Sequence, residues 1–203
     1  MLFTVEGLHC YLRKLELSDI ELVVSWITKP DFDRYLSFDS NGRLPVDTVT
    51  DWLTENANEY GCEKSYMICK ASDSTDIGLC LVSNIDWISR TAEYNYYISE
   101  PCYRNGYYGL DISLILVNFL FNCLNLNKLT GYTYIYNEAA NKIHRFAGRV
   151  EGVMKNHRYF DGQHHHVIVY GLTRQDYCTF IEENAQGVLR KHIRKGLIDK
   201  PDC

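Results

Sequence analysis

The sequence has few of the features that mark secreted, membrane-spanning or metal-binding proteins. Its eight cysteines are all at least seven residues apart, which excludes the Cys-x-x-Cys motifs of metal and redox sites. The N-terminal segment MLFTVEGLHC lacks the basic and long apolar regions of a signal peptide. The longest mostly apolar run, 112–124, contains two asparagines and is too short to cross a bilayer. We therefore expect a cytoplasmic protein with reduced thiols and no membrane partner.

An excess of positive charge is absent as well. The 203 residues include 21 Lys and Arg against 26 Asp and Glu, which gives a formal net charge of −5. This balance gives little electrostatic support to nucleic-acid binding, so no nucleic-acid partner is expected. With 46% hydrophobic and 23% charged residues, the composition predicts a globular fold with a substantial core.

Hydrophobic spacing in the first half of the chain predicts a strand, two helices and three further strands. Ser18 and Glu21 have the spacing of a capping box, which would start the first helix, and Pro30 would stop it. The three later strands resemble an antiparallel meander. The predicted elements are a strand at 9–17, helices at 20–29 and 44–60, and strands at 65–71, 77–88 and 92–99.

The second half predicts a buried helix, a strand, a short helix and a hairpin. Asn137 is placed to cap the short helix and Gly148 to end it. The Asp161-Gly162 pair is a strong hairpin-turn signal. The predicted ranges are a helix at 110–126, a strand at 128–136, a helix at 137–148, a hairpin at 149–172 and a last helix capped from 173–176. The basic end from residue 189 is expected to be a solvated helix end or a loose tail.

The segment RNGYYG, 104–109, stands between a predicted strand and the buried helix. The first turn of a helix presents unpaired amide N–H groups and a partial positive charge, which together attract phosphate groups. Gly106 and Gly109 would let the backbone approach such a ligand, and Arg104 would add a cation. Taken alone, a turn with two glycines is also typical of an ordinary strand-to-helix connection.

Four segments in this order resemble the GNAT acyltransferase superfamily, in the branch of ribosomal-protein alanine acetyltransferases and bacterial amino-sugar acetyltransferases. The segments are LRKLELSDIELVVSWITKPDFDRYLS, TAEYNYYISEPCYRNGYYGLDISL, NEAANKIHRFAGRVEG and FDGQHHHVIVYGLTRQDY. The resemblance covers about residues 8–176. It implies an α/β GNAT fold, with a mixed, mostly antiparallel central sheet flanked by helices and with splayed fourth and fifth strands. We expect the GNAT domain at 1–176 and a C-terminal helix and tail at 177–203.

The resemblance further implies transfer of acetyl from acetyl-CoA to a primary amine by direct attack, without a metal. The acceptor would be an amino sugar on a nucleotide, a protein N-terminus or a small amine. A homodimer formed through the C-terminal helix is a further expectation. A GNAT-fold protein that binds CoA or regulates without catalysis is the alternative. The implied coenzyme-binding residues are Tyr97, Ile98, Ser99, Arg104, Asn105, Gly106, Tyr107, Tyr108, Gly109, Leu110 and Asn137.

The coenzyme loop departs from the family pattern at one position. Tyr107 stands where the family has the first glycine of its loop, while Gly106 comes one residue earlier. Either Tyr107 has an ordinary backbone conformation, or the loop is shifted by one residue. Asp111 follows the loop, where its carboxylate would compete with or repel a pyrophosphate.

Candidate catalytic and acceptor residues follow from the same resemblance. His144 lies seven residues after Asn137, where many family members have a tyrosine that protonates the leaving thiolate; a surface histidine is the alternative. Glu93 matches a common glutamate and would accept a proton from the amine, with a structural carboxylate as the alternative. Asn95 shares a strand face with Glu93. His166 is either an acceptor-cleft residue or part of the hairpin surface.

Overall fold

The protein forms an open sheet of eight strands, in a computed structural model that describes residues 4–35, 45–57, 60–187 and 189–197. The strands lie in the order β1-β2-β3-β4-β5-β6-β8-β7. Their bounds are β1 Thr4–Glu6, β2 Cys10–Lys14, β3 Lys64–Lys70, β4 Asp76–Asp86, β5 Thr91–Ile98, β6 Lys128–Tyr134, β7 Arg149–Phe160 and β8 Gln163–Thr173. Every neighbouring pair is antiparallel except β5–β6. The predicted mixed, mostly antiparallel sheet is confirmed.

Helices cover both faces of this sheet. They are α1 Ile20–Ile27, α2 Pro30–Tyr35, α3 Pro45–Ala57, α4 Gly106–Asn122, α5 Glu138–Ala147, α6 Arg174–Asn184 and α7 Arg190–Arg194. Within the described ranges, no helix has the length and apolarity needed to cross a membrane.

Helix α4 is the centre of the larger hydrophobic core. Its Ile112, Ile115, Leu116 and Leu120 are fully buried against β2, β3 and β4. Burial of each such side chain contributes roughly 1.5–3 kcal/mol relative to an exposed one. A second core cluster, on the other face of the sheet, packs α1 and α3 against β3 and includes the buried Trp52. Helix α4 begins four residues earlier than predicted, so most of the expected loop belongs to its first turn.

The sheet opens between β5 and β6. These two strands pair in parallel over only three residues, from Thr91 opposite Lys128 to Glu93 opposite Thr130. Beyond Glu93, β5 remains paired with β4 and β6 remains paired with β8. The two strands therefore diverge, which confirms the predicted splay and leaves backbone groups of both edges facing a gap.

The predicted capping box at Ser18 and Glu21 is wrong. Ser18 lies inside a short 3₁₀ turn that precedes α1. The capping box of that turn is formed instead by Glu16 at the N-cap and Asp19 at N3, where the Asp19 carboxylate accepts a hydrogen bond from the Glu16 amide at 2.8 Å. Because the same carboxylate also pairs with Arg13 at 2.7 Å, Asp19 ties the helix start to β2, which a serine hydroxyl could not do.

The described part of the basic C-terminal segment is packed rather than loose. Leu189 is fully buried, and His192 Nε2 contacts Asp111 Oδ1 at 2.7 Å. Asp111 also accepts hydrogen bonds from the amides of Leu8, His9 and Cys10. These donors hold the pKa of Asp111 at about 2 although burial opposes ionisation. Asp111 thus points away from the loop, and the expected repulsion of a pyrophosphate is wrong. The predicted tail beyond residue 197 lies outside the described residues.

The predictions for the turns and caps of the second half are confirmed. Asp161 and Gly162 both have positive φ, 49° and 76°, as a type I′ hairpin turn requires. The Asn137 side chain caps α5 by accepting from the Ala140 amide, and Thr173 caps α6. Within the described ranges six cysteines form no disulfide, but Cys178 is disulfide-bonded, which corrects the expectation of reduced thiols at that position.

Candidate active site

Two cavities meet where β5 and β6 diverge. The large cavity, of about 780 Å³, lies between β5, the start of α4 and helix α5. The small cavity, of about 150 Å³, lies on the opposite face, against α3, β3 and β7. Asn95, Tyr132 and Thr133 line both cavities, so the two cavities adjoin at the gap between the strands.

Alternation along β5 assigns its side chains to the two cavities. Glu93 and Asn95 line the small cavity. Tyr94 and Tyr96 turn toward α4, where the Tyr96 hydroxyl donates to the Gly109 carbonyl at 3.3 Å. Tyr97 lines the large cavity, but its side chain belongs to the α1–α3 core. The predicted two-faced arrangement of this strand is confirmed.

The end of β5 presents its open edge to the large cavity. The Ser99 amide donates to the Ile77 carbonyl at 2.8 Å, so Ile98 forms a non-hydrogen-bonded pair with Gly78 and directs its own backbone groups into the gap. The Ile98 carbonyl accepts from Arg104 Nε at 2.9 Å, and the Ser99 carbonyl accepts from the same guanidinium at 3.1 Å. Both Ser99 backbone groups are therefore occupied, and the Ile98 amide is the group that faces the gap.

Arg104 stabilises the scaffold of the cavity. Besides its two carbonyl bonds, its guanidinium pairs with Asp31 Oδ2 at 2.5 Å and donates to the Tyr97 hydroxyl at 3.1 Å. This pair lowers the pKa of Asp31 against the opposing effect of burial. The guanidinium thus joins β5 to α2, and its predicted role as a cation for a phosphate competes with these contacts.

The first turn of α4 is capped by the side chain of Asn105, the residue that precedes the helix. Asn105 Oδ1 accepts from the amides of Tyr107 and Tyr108 at 3.1 and 3.3 Å. Tyr107 is absent from the residues with positive φ, so the first of the two alternatives, an ordinary conformation, is correct. Its ring is 73% exposed and lies edge-on to His9 rather than over the cavity.

Gly109 is the glycine at which the wall of the large cavity leaves little room for a side chain. A Cβ atom there would lie 3.0 Å from Ile143 Cδ1 and 3.6 Å from the Tyr96 hydroxyl. At Gly106 a Cβ atom would meet nothing within 4 Å. Close approach of the backbone therefore depends on Gly109, and neither glycine has a positive φ.

His144 borders the large cavity from α5. Its Nδ1 lies 3.2 Å from the Tyr94 hydroxyl, and its ring stacks on Tyr170 with centroids 5.0 Å apart. Gly131 makes room for this ring, because a Cβ atom there would approach His144 Cε1 to 2.6 Å. Burial lowers the pKa of His144 to about 4, so its imidazole is neutral near pH 7.

Side chains from distant elements line the small cavity. Tyr132 donates to Glu93 Oε1 at 3.4 Å, and Trp52 of α3 and Arg158 of β7 complete much of the wall. Tyr132, Trp52 and Arg158 were not among the site residues predicted from the sequence. Alternation along β6 gives a weak signal for Tyr132, while no local pattern indicates Arg158.

Comparison with known proteins gives the family of this fold and site. The family model described as the acetyltransferase (GNAT) domain matches residues 9–150, more than half of the chain. The chain belongs to the GNAT acetyltransferase family. It is an N-acetyltransferase, in agreement with the resemblance found in its sequence.

Individual relatives are distant but cover most of this acetyltransferase. It is 24% identical over 177 residues to a Bacillus subtilis protein provisionally named ribosomal N-acetyltransferase YdaF, covering 83% of this chain and 93% of that protein. The solved structure of spermidine N-acetyltransferase from Vibrio cholerae, in complex with CoA and spermine, has a TM-score of 0.72 at 19% identity, covering 83% and 97%. RimL, a ribosomal L7/L12 alpha-N-protein acetyltransferase in complex with coenzyme A, has a TM-score of 0.73 at 17% identity, covering 84% and 98%.

The structure brings together most of the site residues predicted for the acetyltransferase. The predicted residues that line the large cavity are Asn95, Tyr97, Ile98, Arg104, Asn105, Gly106, Gly109, Leu110, Asn137 and His144. Ser99, Tyr107 and Tyr108 do not line it, and Glu93 lines the small cavity instead.

The histidine run of the acetyltransferase is divided among three environments. His164 is exposed and contacts Tyr159, and His165 packs against Tyr134 and Tyr136. His166 lines neither of the two cavities; its Nδ1 accepts from the Asn156 amide at 2.9 Å. His166 therefore supports the backbone of β7, and its predicted contact with an acceptor stays a prediction.

Proposed function

We propose that this acetyltransferase transfers acetyl from acetyl-CoA, bound in the large cavity, to a primary amine that enters through the small cavity. The observation that carries this proposal is that the two cavities share lining residues at the splay, with Glu93 on one side and His144 on the other. A thioester in the gap would be exposed to an amine from one face and would release its thiol on the other.

The large cavity supplies backbone groups suited to the coenzyme. The Ile98 amide would pair with the pantetheine arm, and Asn137 would contact the same arm from the start of α5. The first turn of α4, at 104–110, would hold the pyrophosphate, because its amides and the helix dipole favour an anion. For this to happen the Asn105 side chain must leave the amides that it now caps.

The reaction that we propose is a direct displacement. The amine nitrogen attacks the thioester carbonyl, a β5 amide stabilises the oxyanion, and the carbon–sulfur bond then breaks. Glu93, directly or through water, accepts the proton that the amine loses. The thiolate of CoA takes up one proton from solvent as it leaves, which balances the proton passed to Glu93. Because the amine attacks the thioester directly, the reaction needs no covalent enzyme intermediate and no metal ion.

His144 would act as a neutral hydrogen-bond donor. Burial lowers its pKa to about 4, so its imidazole is neutral near pH 7 and offers an N–H as hydrogen-bond donor. Its position beside Tyr94 allows the hydroxyl and the ring to form a short chain toward the departing sulfur. This arrangement would stabilise the negative charge that develops on the sulfur atom, and the imidazole ring need not be charged for it.

Binding and turnover test this proposal separately. Calorimetry with CoA and acetyl-CoA measures the donor site, and release of free thiol over a panel of amines measures transfer. We expect micromolar binding and thiol release with at least one primary amine. Absence of binding at millimolar CoA would overturn the donor assignment. Binding without thiol release on any amine would favour a CoA-binding regulatory protein.

A further inference from the structure

The small cavity combines acidic and basic side chains. Glu93 and Glu63 line it together with Lys64, His157 and Arg158. A carboxylate beside the gap suits an incoming ammonium group. The basic side chains have no role in the proposed reaction, and they would weaken the binding of a polycation in this cavity.

Arg158 is aimed at the cavity by an irregularity in β7. On β8, Val167 and His165 are two residues apart, but their partners Met154 and Arg158 are four residues apart, so β7 bulges between them. Bulges next to binding sites redirect side chains in this way. Asn156, inside the bulge, has φ of 49° and donates its amide to His166 Nδ1. His166 thus fixes the bulge that presents Arg158.

Arg158 and Glu93 line the same cavity but do not form an ion pair with each other. Burial and Glu93 raise the pKa of the Tyr132 hydroxyl, while Arg158 opposes that rise, so both charges act on one oxygen atom. In the part of the chain that the structure describes, Arg158 has neither a salt bridge nor a hydrogen bond to another side chain. A guanidinium in a cavity wall beside a carboxylate, without an ion pair between them, leaves room for a ligand that carries both opposite charges.

We propose that Arg158 is a specificity-determining residue that selects acceptors carrying a carboxylate or phosphate group close to the reacting amine. The amine would face Glu93 in the gap, and the anionic group would bind the guanidinium at the outer wall. This inference rests on the proposed use of the small cavity by the acceptor. His166 is a positioning residue for the same group, because it holds the bulge.

Matched acceptor pairs test the inference and distinguish the two anion sources. Glucosamine 6-phosphate against glucosamine varies a phosphate, and aspartyl-alanine amide against asparaginyl-alanine amide varies a carboxylate. We expect kcat/KM for at least one anionic member to exceed that of its neutral partner by about tenfold. Arg158→Ala should remove this preference, lowering kcat/KM for the anionic member about ten- to a hundredfold. The neutral member and the KM for acetyl-CoA should change less than about twofold.

Three controls separate charge from general damage. Arg158→Lys should retain part of the preference, because the charge stays while the paired donors of the guanidinium are lost. Lys155→Ala removes an exposed charge of the same strand and should leave the preference intact. His166→Ala should raise KM for the anionic member alone, which a mere loss of stability would not do.

A binding measurement keeps the inference testable if no acceptor turns over. Calorimetry with glucosamine 6-phosphate and glucosamine, on the CoA-saturated protein, should give selective binding of the phosphate that Arg158→Ala abolishes. That result without turnover would retain the anion site and overturn the proposed transfer. Equal binding and turnover of both members, an equal loss of both in Arg158→Ala, or a preference for spermidine would overturn the inference.

Discussion

The two cavities at the splay are built from different kinds of structure. The large cavity is lined mainly by two continuous stretches, 94–110 and 137–146, and offers helix starts and an open strand edge. The small cavity is lined by short runs and single side chains from α3 and from the six strands β3 to β8, among them Trp52, Lys64 and Arg158. Backbone geometry suits a ligand that never varies, such as a coenzyme. Side chains can be exchanged without disturbing the fold, which suits an acceptor that differs between relatives.

The largest effect is expected from filling the large cavity. In Gly109→Trp, an indole would occupy space where a Cβ atom already lies 3.0 Å from Ile143 Cδ1. We expect calorimetry to detect no CoA binding. Gly152→Trp is the matched control, since a Cβ atom at Gly152 meets nothing within 4 Å and the residue lines neither cavity. Normal CoA binding by the Gly109 variant would mean that the coenzyme does not use this wall.

Glu93→Gln should affect the small cavity alone. The amide keeps the shape of the side chain but cannot accept the proton of the amine, so kcat should fall about 10²–10⁴-fold. CoA affinity should remain within about twofold, because no group of the large cavity changes. The measurements are steady-state thiol release and calorimetry on the same preparation. A kcat close to the wild-type value would assign Glu93 a structural role, through its bond to Tyr132.

His144→Phe tests the one catalytic candidate on the wall of the large cavity. We expect kcat to fall about tenfold, or about 1.4 kcal/mol, with CoA binding unchanged. The variant should also change the pH dependence of stability. The wild-type folded state holds the pKa of His144 at about 4, below the value of 6.5 in the unfolded chain. The stability that the neutral imidazole contributes to the folded state is therefore fully present above pH 6.5 and decreases as the pH falls toward 4.

Denaturant unfolding at pH 7.5 and 4.5 measures this difference. For wild type, His144 should account for a loss of about 2 kcal/mol in the free energy of unfolding between these pH values. Between the same pH values, the free energy of unfolding of His144→Phe should fall by about 2 kcal/mol less than that of the wild type, whatever the stability of the variant at pH 7.5. Equal pH dependence in both proteins would show that the imidazole is not buried in the neutral form, and full activity at every pH would exclude a catalytic role.

The large cavity was predictable from sequence because its signals are local. The Asn137 cap, the glycine segment and the order of elements all lie within short stretches, and the structure confirms each predicted element around them. The start of α4 was missed by four residues, because the glycines favoured a loop while Asn105 already acts as a cap. Asn105 is a strong capping residue, so this signal was present in the sequence.

Of the small cavity, Glu93 and Asn95 were predictable from alternation along β5, but most of the remaining wall was not, for a physical reason. Arg158 reaches it through a bulge that depends on His166 across the hairpin, and a bulge of this kind has no periodic pattern. Asp111 shows the same limit, since its partner Leu8 is 103 residues away in sequence. Contacts between distant side chains decide such positions, and hydrophobic periodicity contains no information on them.

The smallest predicted effect has the opposite sign to the others. Without CoA, Asn105 caps α4 with its side chain, which stabilises the free form by about 1 kcal/mol. If the pyrophosphate takes over these amides, the cap contributes nothing to the bound form. Asn105→Ala should then destabilise the free protein by that amount and tighten CoA binding about fivefold, because binding no longer displaces the cap.

Calorimetry and thermal unfolding of the Asn105 variant give both quantities. Asn184→Ala, which removes a side-chain bond to the Phe180 carbonyl at a residue that lines neither cavity, is the control for a loss of helix stability without a gain in affinity. Weaker CoA binding in Asn105→Ala would mean that the amide side chain contacts the coenzyme directly. Tighter binding would mean that the Asn105 side chain occupies the amides of the first turn of α4 whenever the coenzyme is absent. Among the residues that the structure describes, the small cavity, whose wall consists mainly of side chains, has no such internal competitor for its ligand.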